Sequence, residues 1–171
     1  MRPILRLVFA PLLSLLAATP SLPVAATEDF ETRVVMKERS AATFYVPGAI
    51  PGYGALELMV DTGSGYMTIN QRTLDVLQGA GTVRYVKQLQ GILADGSEMV
   101  VPVYAIARVR IGHGCWIEDV EAAVFPGNAR QILGLSALRK TAPFVFSVNP
   151  PELLLSRCNG VTPPPGEPVA G

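Results

Sequence analysis

Leu58-Met59-Val60-Asp61-Thr62-Gly63-Ser64-Gly65 places an acid at the end of an apolar strand, followed at once by two small hydroxyl residues and two glycines. Residues of these types make turns whatever else they do. An Asp-Thr-Gly triplet arises from average composition alone in on the order of a few per cent of chains this long. The setting of the triplet says more than its occurrence. A carboxylate at a strand end is held by a rigid sheet and can accept hydrogen bonds from the backbone N–H groups of the turn after it. Gly63 lets that backbone come close, where a Cβ would obstruct it. The hydroxyl of Ser64 can donate to the same carboxylate. Donors aimed at an acid favour its ionised form. An ionised acid can take a proton from water, provided a second acid gives one to the leaving group.

No second acid in the chain repeats this setting. Ala94-Asp95-Gly96-Ser97 has the turn residues but lacks the apolar strand before them. If two equivalent carboxylates are required, the second must come from another copy of the chain. A twofold dimer sets Asp61 against its symmetry mate. Two acids a few ångströms apart cannot both ionise, so they share one proton and act as base and acid together.

Outward from this run, the periodicity is mostly two. Ala42 to Val46 and Ala55 to Val60 are apolar runs on either side of a breaker cluster, Pro47-Gly48, Pro51-Gly52 and Gly54, which predicts strand, turn, strand. Asn70 is a helix N-cap candidate, with Leu74 and Leu77 behind it and Gly79 where the helix would stop. Val83 to Lys87 and the long run from Glu98 to Ile111 flank an Asp-Gly turn, a strong hairpin signal. In that long run Val101, Val103, Ala105, Ala107, Val109 and Ile111 share one face. Gly112-His113-Gly114 makes the next turn, and Trp116, Glu118, Val120, Ala122 and Val124 alternate after it. Gly134 to Lys140 predicts a second short helix, and Phe144 to Val148 and Leu153 to Leu155 two last strands. The fold class is therefore all-β with two short helices, closed or sandwich-like.

The ends read differently from this middle. Arg2 and Arg6 precede a run from Leu7 to Ala18 that is almost wholly apolar, and Val24-Ala25-Ala26 supplies small residues for cleavage, the layout of a secretory leader. A membrane span needs about 20 apolar residues, and this run is shorter and carries Pro11. Export to a periplasmic or extracellular space is expected, with cleavage near Ala26. The organisation is then a leader over 1–26, an N-terminal segment over 27–41 and the main domain over 42–158. A Pro/Gly-rich disordered tail covers 159–171. The segment Thr27 to Ser40 could also act as an inhibitory pro-segment. Cys115 and Cys158 would pair in an oxidising compartment by default, although two unpaired thiols also fit.

Of 171 residues, 49% are hydrophobic, and 14 basic residues balance 14 acidic ones. With no basic block, a nucleic-acid partner is not expected. One His and two Cys are too few for a four-ligand structural zinc site, and neither metal nor cofactor is expected. His113, between two glycines, reads as an exposed turn residue. Trp116 reads as packing, and Arg108 and Arg110 as a solvated strand face. Met59 and Met67 read as core or pocket wall.

The chain resembles the retropepsin-like, single-lobed aspartic proteases, in particular their exported bacterial members. The resemblance runs from about Ala42 to Leu155. Val60-Asp61-Thr62-Gly63-Ser64 is similar to their catalytic loop, and Ala94-Asp95-Gly96 to the tip of their flap hairpin. Ile132-Leu133-Gly134-Leu135 resembles the apolar-apolar-Gly element in the second half of their fold. The resemblance implies an acid-protease closed barrel and a homodimeric endopeptidase acting on polypeptides; separately, no stretch after the leader is long and apolar enough to predict a membrane span in the mature chain. The resemblance also implies that Asp61 of each subunit holds the nucleophilic water, Thr62 bonds across the dimer axis and Gly63 gives close backbone approach. Ser64 would tune the acid; many retroviral members carry Ala there, so a lower working pH is expected. The flap, from about Gln90 to Met99, would close over an extended peptide, with Ile92, Leu93 and Met99 lining apolar pockets. One departure is that retroviral enzymes dimerise through terminal strands, whereas this chain beyond Leu155 looks loose. The competing reading is a non-catalytic extracytoplasmic module on the same fold that grips peptides by strand addition.

Overall fold

The apolar run before Asp61 forms strand β4 (Gly54–Val60), antiparallel to β3 (Thr43–Ile50) across the turn at 51–53. The structure, a computed structural model, describes residues 30–92 and 96–158. The leader expected over 1–26 and the tail over 159–171 lie outside the described residues, as do Leu93, Ala94 and Asp95.

Strand β3 extends through Pro47 and Gly48, which the breaker cluster had assigned to a turn. A Cβ on Gly48 would lie 2.8 Å from Leu58 Cδ1 and 2.9 Å from the Arg110 carbonyl oxygen. Gly48 thus marks a pinch between two neighbouring strands rather than a chain reversal. Two short strands precede the expected start of the domain at 42: β1 (Thr32–Val35) and β2 (Lys37–Arg39). Strand β2 pairs with β3, so this N-terminal segment is woven into the fold.

After Asp61 come β5 (Met67–Asn70) and helix α1 (Gln71–Gly79). The Asn70 side chain accepts a hydrogen bond from the Thr73 N–H at 2.9 Å, the N-cap contact its position predicts. Leu74 and Leu77 face the core. The hairpin is β6 (Val83–Ile92) and β7 (Glu98–Ile111), and β8 (Cys115–Phe125) returns along β7. Strand β9 (Ile132–Leu133) leads into α2 (Leu135–Leu138) and a 3-10 turn over Arg139–Thr141. Strands β10 (Phe144–Ser147) and β11 (Glu152–Leu155) close the chain.

Eight strands form one sheet in the order β2-β3-β4-β9-β5-β8-β7-β6. A further pairing of β3 with β7, Gly48 against Ile111 and Ala49 against Arg110, closes six of them into a ring. A separate sheet has the order β1-β11-β10. Ile50, Leu58, Met67, Ile69, Leu77, Ile111 and Leu133 fill the main core. Val101, Val103 and Ala123, from β7 and β8, make a second cluster. Serving both clusters, β7 does not keep one apolar face throughout: Ala107 is exposed and Ile106 is buried in its place. Cys115 and Cys158 are joined in a disulfide spanning 43 residues. A crosslink of that span contributes about 4 kcal/mol through the entropy it removes from the unfolded chain.

Candidate active site

Asp61 follows β4 and is half-buried, with its backbone held by β9 on one side and by its own turn on the other. Its N–H donates to the Leu133 carbonyl at 3.2 Å, and its carbonyl accepts from the Ser64 N–H at 3.3 Å. The Gly63 N–H donates to Asp61 Oδ1 at 2.9 Å, so one carboxylate oxygen is fixed by the turn that follows it. A Cβ on Gly63 would sit 3.2 Å from that oxygen. Thr62 is exposed, and its hydroxyl has no hydrogen-bond partner among the described residues.

Ser64 differs from the expectation drawn from its sequence position. Its hydroxyl donates to the Tyr66 carbonyl at 2.8 Å, not to the Asp61 carboxylate. The neighbouring loop carbonyls of Ser64 and Gly65 are taken by the N–H groups of Leu135 and Ser136, at 2.8 and 3.1 Å. The Ser64 hydroxyl has one proton, and it satisfies the next carbonyl along this loop. Ser64 therefore braces the loop, and the lower working pH inferred from it loses its structural basis.

Ile132, Leu133 and Gly134 come directly against this loop. Strand β9 inserts beside β4, with Met59 against Ile132 and Val60 against Leu133, and touches β5 at Thr68. Gly134 is buried where a Cβ would meet the Tyr66 carbonyl oxygen at 2.0 Å and the Ser64 carbonyl oxygen at 2.9 Å. Only glycine permits so close an approach of the two loops. Ser136, which sequence reasoning missed, completes the clasp. Its Oγ accepts from the Met67 N–H at 2.7 Å and donates to the Glu121 carbonyl at 2.6 Å, joining α2, β5 and β8. A lone Ser inside a short helix carries no distinguishing sequence signal.

A cleft of about 630 Å3 opens above Asp61. The loop supplies Gly65 and Tyr66, the flap strand β6 supplies Leu89 and Gly91, and Ala123, Phe125, Arg130 and Ile132 complete much of the wall. Of the side chains expected to line it, Met99 is half-buried against the Val101, Val103 and Ala123 cluster, on which Leu89 and Phe125 of the cleft wall also pack. Leu93 lies outside the described residues. The hairpin pairs Gln90 with Val100 and Gly91 with Met99; of the expected tip, Gly96 is described and exposed, with φ +83°. A second cleft of about 500 Å3 reaches Asp61 from the other side, between Phe44, Met59, Phe146 and Val148.

Tyr66 is held from the flap side. Lys87 of β6 lies 5.3 Å from the Tyr66 ring centre and 3.2 Å from Glu121 Oε2. Hydrogen bonds to the Tyr66 side chain first, and to the Glu121 carboxylate second, raise the Lys87 ammonium above its ordinary 10.5. Farther away, His113 is exposed in its turn. Trp116 is buried beneath Arg108 and Arg110, whose guanidinium carbons lie 4.8 and 5.7 Å from its ring centre. Those arginines are thus half-buried packing partners rather than a fully solvated face.

No helix among the described residues is long and apolar enough to cross a membrane. Among curated proteins, none matches this sequence. In fold, the chain is similar to the crystal structure of a retropepsin-like aspartic protease from Rickettsia conorii. The TM-score is 0.52 at 16% identity, over 72% of this chain and 89% of that one. The sequence profile of the family described as "gag-polyprotein putative aspartyl protease" matches residues 46–140. That match covers more than half of the chain, from β3 through the Asp61 loop and the Gly134 clasp, and the chain belongs to this aspartyl protease family, on a retropepsin-like fold.

Proposed function

We propose that the protein is an aspartic endopeptidase that works as a homodimer, with Asp61 of each copy facing its twin across a twofold axis. The observation that carries this reading is the position of Asp61. It is the one acid among the residues lining the larger cleft, and its Oδ1 is already fixed by Gly63. A single ionised carboxylate can take a proton from the water but cannot at the same moment give one to the carbonyl oxygen, a task for a second, protonated acid. The exposed, unpartnered Thr62 hydroxyl is available to bond to the neighbouring subunit's loop.

In this mechanism the pair shares one proton. The ionised Asp61 takes a proton from the water as the water oxygen bonds to the scissile carbonyl carbon, while the protonated twin gives its proton to the carbonyl oxygen. The tetrahedral diol then collapses: a proton passes to the amide nitrogen, the C–N bond breaks, and acid and amine leave with the pair again sharing one proton. The β6–β7 flap covers the extended peptide and keeps bulk water out.

Dimerisation has a constraint of its own here. Strand β11 is flanked on both sides by strands of its own chain, β1 and β10, so a partner strand cannot insert beside it. Among the described residues the edges of that sheet are β1 and β10, which carry the exposed Val35 and Val145. The site of action proposed is outside the cytoplasm. The leader-like start and the Cys115–Cys158 disulfide both support an oxidising compartment.

The test is digestion of a denatured protein mixture from acidic to neutral pH by the purified chain and by an Asp61→Asn variant. Cleavage by the parent and none by the variant is expected. Equal inactivity of both, at concentrations where a dimer is present, overturns the reading and leaves a peptide-binding module.

A further inference from the structure

The larger cleft holds one feature that the proposed chemistry does not use. Among its lining residues Asp61 is the one acid and Arg130 the one base, and most of the remaining wall is apolar. Arg130 lies on the connection between β8 and β9 and is exposed. No ion pair joins it to Asp61 or to any other described carboxylate. Its side-chain contact is Nη1 to Met59 Sδ at 3.9 Å. A thioether is a weak acceptor, so most of the five guanidinium donors are without a protein partner among the described residues. One nitrogen of the guanidinium thus rests on Met59 of β4, two residues before Asp61, and the charge stays unneutralised among the described residues.

We propose that Arg130 sets substrate preference, selecting an extended peptide in which an acidic side chain lies next to apolar ones. The inference rests on the reading of this cleft as a peptide site. The apolar neighbours seat against Leu89, Phe125 and Ile132, and the carboxylate meets the guanidinium fork at the rim. Arginine suits that task because its planar donors match both oxygens of a carboxylate and because its charge is lightly hydrated. The same position disfavours a basic side chain, through repulsion from Arg130. Exposure limits the gain: a charge-assisted hydrogen bond at a rim, partly screened by water, gives about tenfold discrimination.

The experiment reads binding, so that it does not depend on turnover. Labelled octapeptides with an apolar central pair, carrying Glu, Gln or Lys at each flanking position in turn, are titrated by fluorescence anisotropy at neutral pH. The receptors are the Asp61→Asn chain and the same chain with Arg130→Gln or Arg130→Glu. At one flanking position the Glu peptide should bind about tenfold more tightly than its Gln counterpart. Arg130→Gln should remove that difference, and Arg130→Glu should turn the preference toward Lys. Equal binding of Glu and Gln peptides at every position overturns the proposal, as does a Glu preference that survives Arg130→Gln, or no binding at all. If the parent chain cleaves nothing while the Glu preference holds and follows Arg130, the catalytic reading falls and the selectivity stands.

Discussion

Asp61, the proposed catalytic acid, owes little of its placement to its own side chain. Its carboxylate is positioned by Gly63, its backbone by Leu133, and the loop that carries both by Ser64, Leu135 and Ser136. The tightest point in that arrangement is Gly134, whose missing Cβ leaves room for the Tyr66 carbonyl. The obstructing atoms are backbone, so the strain cannot be relieved by a rotamer change. Gly134→Ala is expected to cost about 3 kcal/mol. Urea unfolding of the variant beside the parent measures it; a loss under 1 kcal/mol would contradict the close approach described here. Glycine in an apolar-apolar-Gly run was visible in the sequence as a family-like element, but the carbonyl it faces lies about 70 positions away along the chain, and periodicity carries no information across that distance.

Elements with a strong local signal were legible in advance. Helix α1 had its cap, its two apolar residues and its terminal glycine, and the hairpin had an Asp-Gly turn between alternating runs. Strands β1, β2 and β9 were not legible, because two to four residues, mostly polar in the case of β2, form a strand only when a partner strand supplies the hydrogen bonds. The same dependence on neighbours appears in Lys87, which ties the flap strand β6 to Tyr66 and, through Glu121, to β8. Folding raises the proton affinity of this ammonium. Its contribution is therefore fully present at neutral pH and is lost only as the pH rises past 10.5 and through the higher value in the folded chain. NMR titration of the Lys87 side chain should give a midpoint above that of a free lysine, and Tyr66→Phe should lower it. A midpoint unmoved by that substitution would mean that the tether does not exist in solution.

At the scale of the whole molecule, the closed ring of six strands leaves the Asp61 loop on an open face with clefts on both sides. One cleft is the proposed peptide site; the other, bounded by Phe146 and Val148, adjoins the edge strand β10. A shared active site makes activity depend on the pairing of subunits. When equal amounts of parent and Asp61→Asn chains are mixed and allowed to exchange, about one quarter of the dimers retain both acids. Peptidase activity should fall to about one quarter of that of the same total of parent chain. An enzyme that works as a monomer would retain about one half, and that result would exclude the paired mechanism.

Local chemistry was enough to identify the acid in its turn, the apolar strand before it and the β6–β7 hairpin, because each depends on neighbours within a few positions, whereas the second-half element was marked only by its resemblance to a family. Tertiary structure alone decided where the Ser64 proton goes, that Ser136 clasps the loop and that Arg130 stands unpaired in the cleft. It also decided that β11 is enclosed by strands of its own chain. The physical reason is that hydrogen bonds and charges are satisfied by whichever group the folded chain brings within about 3 Å: for Ser136 and β11 that group comes from a different element, for Ser64 from the path its own loop takes, and to Arg130 the fold brings no described carboxylate.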